Sequence, residues 1–182
     1  MMSRMVYVAV LLVAALSVAR ADDAGMSISS TAVQDGGVMP SLFGGTAGAC
    51  GGRGISPQIS WSHVPAGTRS LVVLLFDIDG ANGLAVSHWV AYNIDAARGE
   101  LKQGEGQVDG AGVTVGLNQK GAPAYMGPCP PVGDVAHHYV LTVIATDLAP
   151  GALGPALDRN ALWRALQGHA LRAQSIVGRY AR

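Results

Sequence analysis

Four side chains that can exchange protons or bind charged groups stand at the ends of predicted strands. Asp77 and Asp79 directly follow an apolar run, His88 begins the next strand, and His137 precedes a third apolar run. Strand ends and the loops beyond them are where a rigid scaffold presents functional groups. Carboxylates and imidazoles can act as general acid and base, hold a divalent metal, or bind a charged ligand. The residue types therefore indicate a site and leave its chemistry open.

Each of these residues also has a purely structural interpretation. Aspartates such as Asp77 and Asp79 are turn formers that can simply end a strand. His88 can equally be a buried histidine with satisfied hydrogen bonds. His137 and His138 can divide into one core and one surface residue, because neighbours in a strand point to opposite faces. Taken singly, none of these residues specifies a function.

A mainly β pattern positions these residues. Residues 69–76 (RSLVVLLF) form a near-continuous apolar run, which is typical of a strand buried on both faces. Residues 87–94 and 138–147 are dense in aromatic and β-branched residues, which predicts two further strands. Short strands are also predicted within 27–33 and 55–61, and the Gly-rich residues 99–131 are predicted to form long loops with short strands.

The C-terminal part of the sequence changes period. From Leu162 to Tyr180, mostly apolar and aromatic residues recur at three- and four-residue steps. This pattern predicts one face of an amphipathic helix, with Asp158 or Asn160 as its N-cap and Gly178 at its end. Strands followed by a terminal helix indicate a mainly β domain with one or two packed helices.

The N-terminus has the pattern of a secretory signal peptide. A positively charged start is followed by the apolar residues 5–18 and by Ala19-Arg20-Ala21, which has the small-x-small form of a cleavage site. The apolar run is about 14 residues long, shorter than the roughly 20 that span a bilayer, although an uncleaved anchor is the alternative. We therefore expect a signal peptide at residues 1–21 and a single periplasmic or secreted domain at residues 22–182.

Charge and composition exclude some partners. The 12 basic and 12 acidic residues balance in the whole chain, and signal cleavage would leave two more acidic than basic residues. The only lysines are Lys102 and Lys120, and no basic stripe is present. Nucleic acid is therefore a poor candidate, since binding to its backbone needs clustered Lys and Arg. Beyond the signal segment, no apolar run is long enough to span a membrane.

The two cysteines, Cys50 and Cys129, are predicted to form a disulfide. In an exported chain, a small even number of cysteines favours a bridge over a metal site. Two free thiols are the alternative, and a zinc site would need further Cys or His at short spacing. A bridge would tie a distant loop to the Pro-rich segment 127–131.

The combination of motifs resembles a known family. The segments 77-DIDGA-81, 88-HWVAYNI-94 and 127-GPCPPVGDVAHHY-139 are similar, in this order, to the phosphatidylethanolamine-binding proteins. The resemblance is closest to the bacterial branch called Raf kinase inhibitor-like or YbhB/YbcL-type. Supporting matches are 50-CGGRGISPQISW-61, 65-PAGTRS-70 and 168-GHALRAQSIVGRY-180, so the resemblance covers nearly all of residues 22–182.

The resemblance implies a β-sandwich-like fold of antiparallel sheets with peripheral helices. It also implies a small pocket at one end that takes phosphate or a phosphorylated head group such as phosphoethanolamine, with no cofactor. Prolines would stiffen the loop so that its few N–H groups are held ready for an anion. The implied pocket residues are Asp77, Asp79, His88, Gly127, Cys129, Pro130, Pro131, His137 and Tyr139.

The sequence departs from the family pattern in three places. The family's Asp-Pro-Asp-x-Pro is 77-DIDGA-81 here, so both carboxylates remain and both prolines are lost. The family's His-Arg-Tyr is His137-His138-Tyr139, which loses a permanent cation. The Asn expected before the Ser-Pro pair is Gly54. The first change predicts a more mobile loop.

Three classes of function remain open. The first is an exported protein that binds a small phosphorylated or anionic ligand, including a zwitterionic head group. The second is a hydrolase in which a metal or an acid–base pair is formed from Asp77, Asp79, His88 and His137, although no obvious nucleophile lies in the motifs. The third is an interaction or inhibitor module with an unidentified protein partner, which rests on analogy with the family.

Overall fold

A computed structural model describes residues 25–182 of the chain, so the expected signal peptide lies outside the described residues. Strands dominate, and they form two antiparallel sheets. The strands are β1 (Ser27–Ser29), β2 (Ile59–Ser62), β3 (Ser70–Asp77), β4 (Val86–Asp95), β5 (Glu100–Leu101), β6 (Thr114–Val115), β7 (His137–Thr146) and β8 (Ala170–Tyr180). The helices are the single turn α1 (Gly80–Gly83), α2 (Arg159–Ala165), and short 3-10 turns at Ser41–Phe43, Gly48–Cys50 and Ala96–Arg98.

The larger sheet has the order β6-β4-β3-β7-β8, and the smaller has the order β1-β2-β5. In β3, Leu71, Val73 and Leu75 face the main core, which also contains residues of the smaller sheet. Val72 faces the opposite side, where Leu162 of α2 covers it. The central strand is therefore buried on both faces, as its continuous apolar run predicts. The mainly β fold with peripheral helices is confirmed.

The predicted strands are found close to their predicted places. The three long runs become β3, β4 and β7, which pair as neighbours in the larger sheet. The Gly-rich residues 99–131 contain only two short strands joined by long loops, as expected. Within residues 25–182, no helix has the length and apolar character needed to cross a membrane.

The predicted C-terminal helix is only partly right. Asp158 is the N-cap of α2, where its carboxylate accepts a hydrogen bond from the Ala161 N–H at 2.7 Å. The helix ends at Ala165, however, and residues 170–180 form β8, which pairs with β7 over its whole length. A four-residue step such as Ile176 to Tyr180 fits a strand, whose period is two, as well as a helix. The periodicity was therefore ambiguous, and pairing with the exposed edge of β7 decides it.

Gly178 does not end a helix but lies in the middle of a packed sheet contact. A Cβ atom at this position would meet the side chains of Met39 and Val33 at 2.5 to 2.9 Å. Because Gly178 has no side chain, Val33 and Met39 of the N-terminal segment (residues 33–39) can pack directly on β8.

Candidate functional site

A cavity of about 880 Å³ opens where β3, β4 and β7 meet the loops that precede and follow them. Asp77 is the last residue of β3, His88 is the third residue of β4, and His137 is the first residue of β7. Because β3 pairs with both neighbours, the three side chains converge at one end of the larger sheet. Asp77, Asp79, His88 and His137 therefore all line this one cavity.

The carboxylate of Asp77 organises the closed end of the cavity. Its Oδ2 accepts a 2.8 Å hydrogen bond from His137 Nδ1, and the same oxygen lies 4.0 Å from His88 Nε2. Its Oδ1 accepts hydrogen bonds from the N–H groups of Asp79 and Gly80 at 3.1 and 2.9 Å. Asp77 therefore both terminates the strand as a turn former and orients an imidazole, so its two interpretations are compatible.

His88 is held by the loop that leads into the Pro-rich segment. Its Nδ1–H donates to the Met126 carbonyl at 2.7 Å, and the Met126 N–H donates to the His88 carbonyl at 2.9 Å. These reciprocal bonds fix the ring with Nε2 left on the side of Asp77. His88 is a satisfied buried histidine that nevertheless lines the cavity.

The second Asp–His pair lies nearer to solvent. The Oδ2 of Asp79 accepts hydrogen bonds from both the backbone N–H and the Nδ1–H of His138, at 2.6 and 2.9 Å. The backbone hydrogen bond lowers the pKa of Asp79. His137 is buried and His138 is exposed, so the doublet divides between core and surface while each histidine binds one aspartate.

The Pro-rich segment forms one wall of the cavity. Gly127, Cys129, Pro130 and Pro131 all line it, and Cys129 is bonded to Cys50 of the facing loop with a Cα–Cα distance of 5.2 Å. The predicted disulfide is thus present. Among the described residues, no acceptor is hydrogen-bonded to the N–H of Gly127 or of Cys129. Because prolines carry no N–H, Gly127 and Cys129 have the only backbone donors of residues 127–131.

Tyr139 does not line the cavity, although its position in the motif suggested that it would. Its ring is fully buried in the main core and packs edge-on against His88, with 5.3 Å between ring centroids. Burial and the nearby charge of Asp77 raise the pKa of the Tyr139 hydroxyl. Within residues 25–182, that hydroxyl has no hydrogen-bond partner. Tyr139 therefore contributes to the site indirectly, because its ring packs against the ring of His88.

Several lining residues were not predicted from the sequence. They lie in loops without periodicity, although Arg53 and Asp134 fall within the segments 50–61 and 127–139 that carry the family resemblance. The polar members of this set are Thr46, Arg53, Asn82, Gln107, Asn118, Lys120, Tyr125 and Asp134. Arg53 and Lys120 bring permanent cations to a cavity that also contains three aspartates.

The two lining histidines differ in their protonation. Burial lowers the pKa of His88, and this effect exceeds the opposing hydrogen bond to Met126 and the charge of Asp77. Burial also tends to lower the pKa of His137, but the contacts with Asp77 and Asp134 raise it overall. His88 is therefore the more readily neutral imidazole, and His137 is the more readily protonated one.

The donor set does not have the arrangement of a metal centre. In the part of the chain that the structure describes, no group of three or more His, Cys, Asp or Glu side chains is placed to hold a metal ion. Both oxygens of Asp77 are already occupied by hydrogen bonds. The arrangement instead combines N–H donors, a protonatable imidazole and carboxylates in one cavity.

Comparison with known proteins gives consistent matches over most of the chain. Residues 29–181 match the family model described as phosphatidylethanolamine-binding protein. An Aquifex aeolicus protein designated UPF0098 is 33% identical over 158 residues, which cover 86% of this chain and 89% of that protein. The Escherichia coli protein UPF0098 YbcL is 32% identical over 163 residues, which cover 86% and 85%.

The crystal structure of Escherichia coli YbcL, described as a new member of the mammalian PEBP family, has the same fold. The TM-score is 0.79 at 27% identity, and the match covers 86% of this chain and 98% of that one. A Mycobacterium tuberculosis relative, LppC, is described as a candidate lipoprotein. It is 35% identical over 133 residues, which cover 71% of this chain and 61% of that longer protein.

Proposed function

This chain belongs to the phosphatidylethanolamine-binding protein family, and we propose that its strand-end cavity binds a small phosphorylated or anionic ligand, such as phosphate or a phosphoethanolamine head group. The observation that carries the proposal is that His137, Gly127 and Cys129 line one cavity and that no acceptor among the described residues is hydrogen-bonded to the N–H of Gly127 or of Cys129. Charge-assisted and backbone N–H donors together are a common way to hold an anion.

The cavity walls supply further charge of both signs. Lys120 lines the cavity and contributes to the lowered pKa of His88, so it brings a cation to this space. Asp79 and Asp134 line the same space and suit an ammonium group. A ligand that carries a phosphate and an amine would therefore find groups of opposite charge for each.

We propose binding rather than catalysis as the role of the aspartates and histidines. A metal-assisted hydrolase needs carboxylate oxygens that are free to ligate a metal. Asp77 instead uses both oxygens for internal hydrogen bonds, and Asp79 Oδ2 is occupied by His138. These contacts fix the positions of the imidazoles, which is what a pre-formed binding site requires.

The proposal is tested by calorimetric titration of purified, ligand-stripped protein with phosphoethanolamine and with inorganic phosphate. We expect saturable binding by the unaltered protein and none by the double variant Asp77→Ala/His137→Ala. The single variant His137→Gln keeps a hydrogen-bond donor on a side chain of similar length and should bind both ligands more weakly than the unaltered protein. Because it is the milder change, it controls for a folding defect in the double variant.

The chain offers a matched control for this experiment. Asp147 and His169 form another Asp–His pair, in which His169 Nδ1 is hydrogen-bonded to a carboxylate oxygen at 2.8 Å, as in the Asp77–His137 pair. Both side chains are 45% exposed, however, and neither lines the cavity. The Asp147→Ala/His169→Ala variant should therefore bind both ligands like the unaltered protein. Absence of heat at millimolar ligand, with folded protein, would contradict the proposed function.

We further propose that residues 1–21 are a signal peptide and that residues 22–182 are a single exported domain, periplasmic or secreted. Three observations support export: the sequence pattern of the N-terminus, the disulfide, which persists in oxidising compartments, and the relative described as a candidate lipoprotein. Mass spectrometry of the protein recovered from cell fractions tests this. Recovery of uncleaved protein from the cytoplasm would contradict it.

A further inference from the structure

One contact in the cavity places a carboxylate of the protein where a ligand anion would bind. The Oδ2 of Asp134 lies 3.6 Å from His137 Nε2, which is within ion-pair distance when the ring is protonated. The other ring nitrogen, Nδ1, is already bonded to Asp77. Nε2 is therefore the one ring position of His137 that remains for a ligand, and Asp134 occupies it.

The segment that carries Asp134 is held weakly. Residues 131–135 are all exposed, with Val135 85% and the Asp134 side chain 49% accessible. The backbone of Asp134 makes one hydrogen bond, a long one of 3.4 Å to the Pro131 carbonyl. A segment with few buried contacts moves at little cost. Asp134 can therefore leave His137 without disturbing the core.

We propose that Asp134 is a selectivity residue that competes with incoming anions for His137 and so favours ligands that carry a cationic group beside their phosphate. This inference rests on the proposed function of the cavity. Inorganic phosphate must displace Asp134 and then stay next to an unpaired carboxylate. A phosphorylated amine must displace it too, but its ammonium group then gives Asp134 a new partner.

The other charged groups around His137 do not replace Asp134 in this role. Asp77 approaches from β3 and bonds the opposite ring nitrogen. Asp79 is held by His138, and burial lowers the pKa of His88 on β4, so that it is the more readily neutral of the two lining histidines. Asp134 is therefore the one described carboxylate that contacts the ligand-facing nitrogen of His137.

The test compares the unaltered full chain with Asp134→Asn by titration with inorganic phosphate and with phosphoethanolamine at about pH 6, where His137 is protonated. We expect the variant to bind inorganic phosphate on the order of fivefold more tightly, the effect of losing one partly exposed like charge. Binding of phosphoethanolamine should not tighten, so its advantage over inorganic phosphate should shrink. Asp147→Asn is the control, since it removes an exposed aspartate beside a histidine away from the cavity.

A second readout does not depend on either ligand. An NMR titration should show a lower pKa for His137 in Asp134→Asn than in the unaltered protein. An unchanged His137 pKa, or an unchanged ratio of the two affinities with both ligands still bound, would overturn the role of Asp134 while the proposed function stands. If neither protein binds either ligand, the proposed function fails and the selectivity fails with it.

Discussion

Asp77 and His137 lie 60 positions apart in the sequence and share a buried hydrogen bond of 2.8 Å at the closed end of the cavity. The bond joins the last residue of β3 to the first residue of β7, and β3 pairs with β7 along the whole length of β3. Because the same carboxylate also holds the turn after β3, the orientation of the imidazole and the shape of the loop depend on one side chain.

Asp77→Asn should destabilise the protein, because it removes the charge of the side chain. It keeps the shape of the side chain. We expect the free energy of unfolding to fall by about 1–3 kcal/mol, the usual cost of losing a buried charge-assisted hydrogen bond. Urea denaturation at about pH 6, where His137 is protonated, measures this loss of free energy. The control Asp147→Asn, on the exposed pair, should change stability by less than about 0.5 kcal/mol. Equal losses in both variants would argue against a special role for Asp77.

The stability that the two lining histidines contribute should depend on pH in opposite directions. The pKa of His137 is raised, so its contribution is complete below its ordinary value of about 6.5 and is lost as pH rises through the raised value. The pKa of His88 is lowered, so stability is lost as pH falls from about 6.5 through the lowered value, because the unfolded chain binds the proton more readily. Urea denaturation of His137→Gln and His88→Gln between about pH 5 and 8 checks both trends, and parallel curves for the two variants would refute them.

Removing the hydroxyl of Tyr139 should cost little. That hydroxyl is buried without a partner among the described residues, so Tyr139→Phe should leave the free energy of unfolding unchanged or raise it by up to about 1 kcal/mol. Tyr125→Phe is the matched comparison, because the Tyr125 hydroxyl donates to the Phe43 carbonyl at 2.9 Å. Its loss should cost about 1–2 kcal/mol. Thermal and urea denaturation measure both, and a larger loss for Tyr139→Phe would show that its hydroxyl has a partner.

Reduction of the Cys50–Cys129 bridge should destabilise the protein and weaken ligand binding. The bridge closes a segment with a sequence separation of 79, for which chain entropy predicts roughly 4 kcal/mol, with engineered cases often giving less. It also joins two walls of the cavity, so the N–H of Cys129 would lose its fixed position. Denaturation with and without a reductant measures the effect. The Cys50→Ser/Cys129→Ser variant should no longer respond to reductant, and a response would point to another cause.

Gly178→Ala tests whether the N-terminal segment packs directly on β8. In β8 the new methyl group meets Met39 and Val33, so we expect a loss of about 1–3 kcal/mol from overpacking. Gly154→Ala serves as the control, since nothing lies within 4 Å of its added Cβ. Urea denaturation of the two variants gives the answer, and stabilisation by Gly178→Ala would contradict this packing.

The sequence predicted the parts of the fold that depend on strong local signals. The run at 69–76 is apolar at almost every position, which only a doubly buried strand tolerates, and it is the central strand β3. Where the local signal allowed two periods, as from Ile176 to Tyr180, the prediction was wrong. An interaction outside the segment decided the structure there, namely pairing with β7.

For the site, the residue types and their order were enough to identify which chemical groups stand at the strand ends and which two cysteines are available to pair. What those groups can do depends on the folded arrangement. Burial and partner assignment separate His88 from His137, because a pKa depends on neighbours that come from other strands and loops. Lys120 and Asp134 were missed for the same reason: loop residues carry no periodic signal, and although Asp134 lies within the motif segment 127–139, only the folded chain shows that it reaches the cavity.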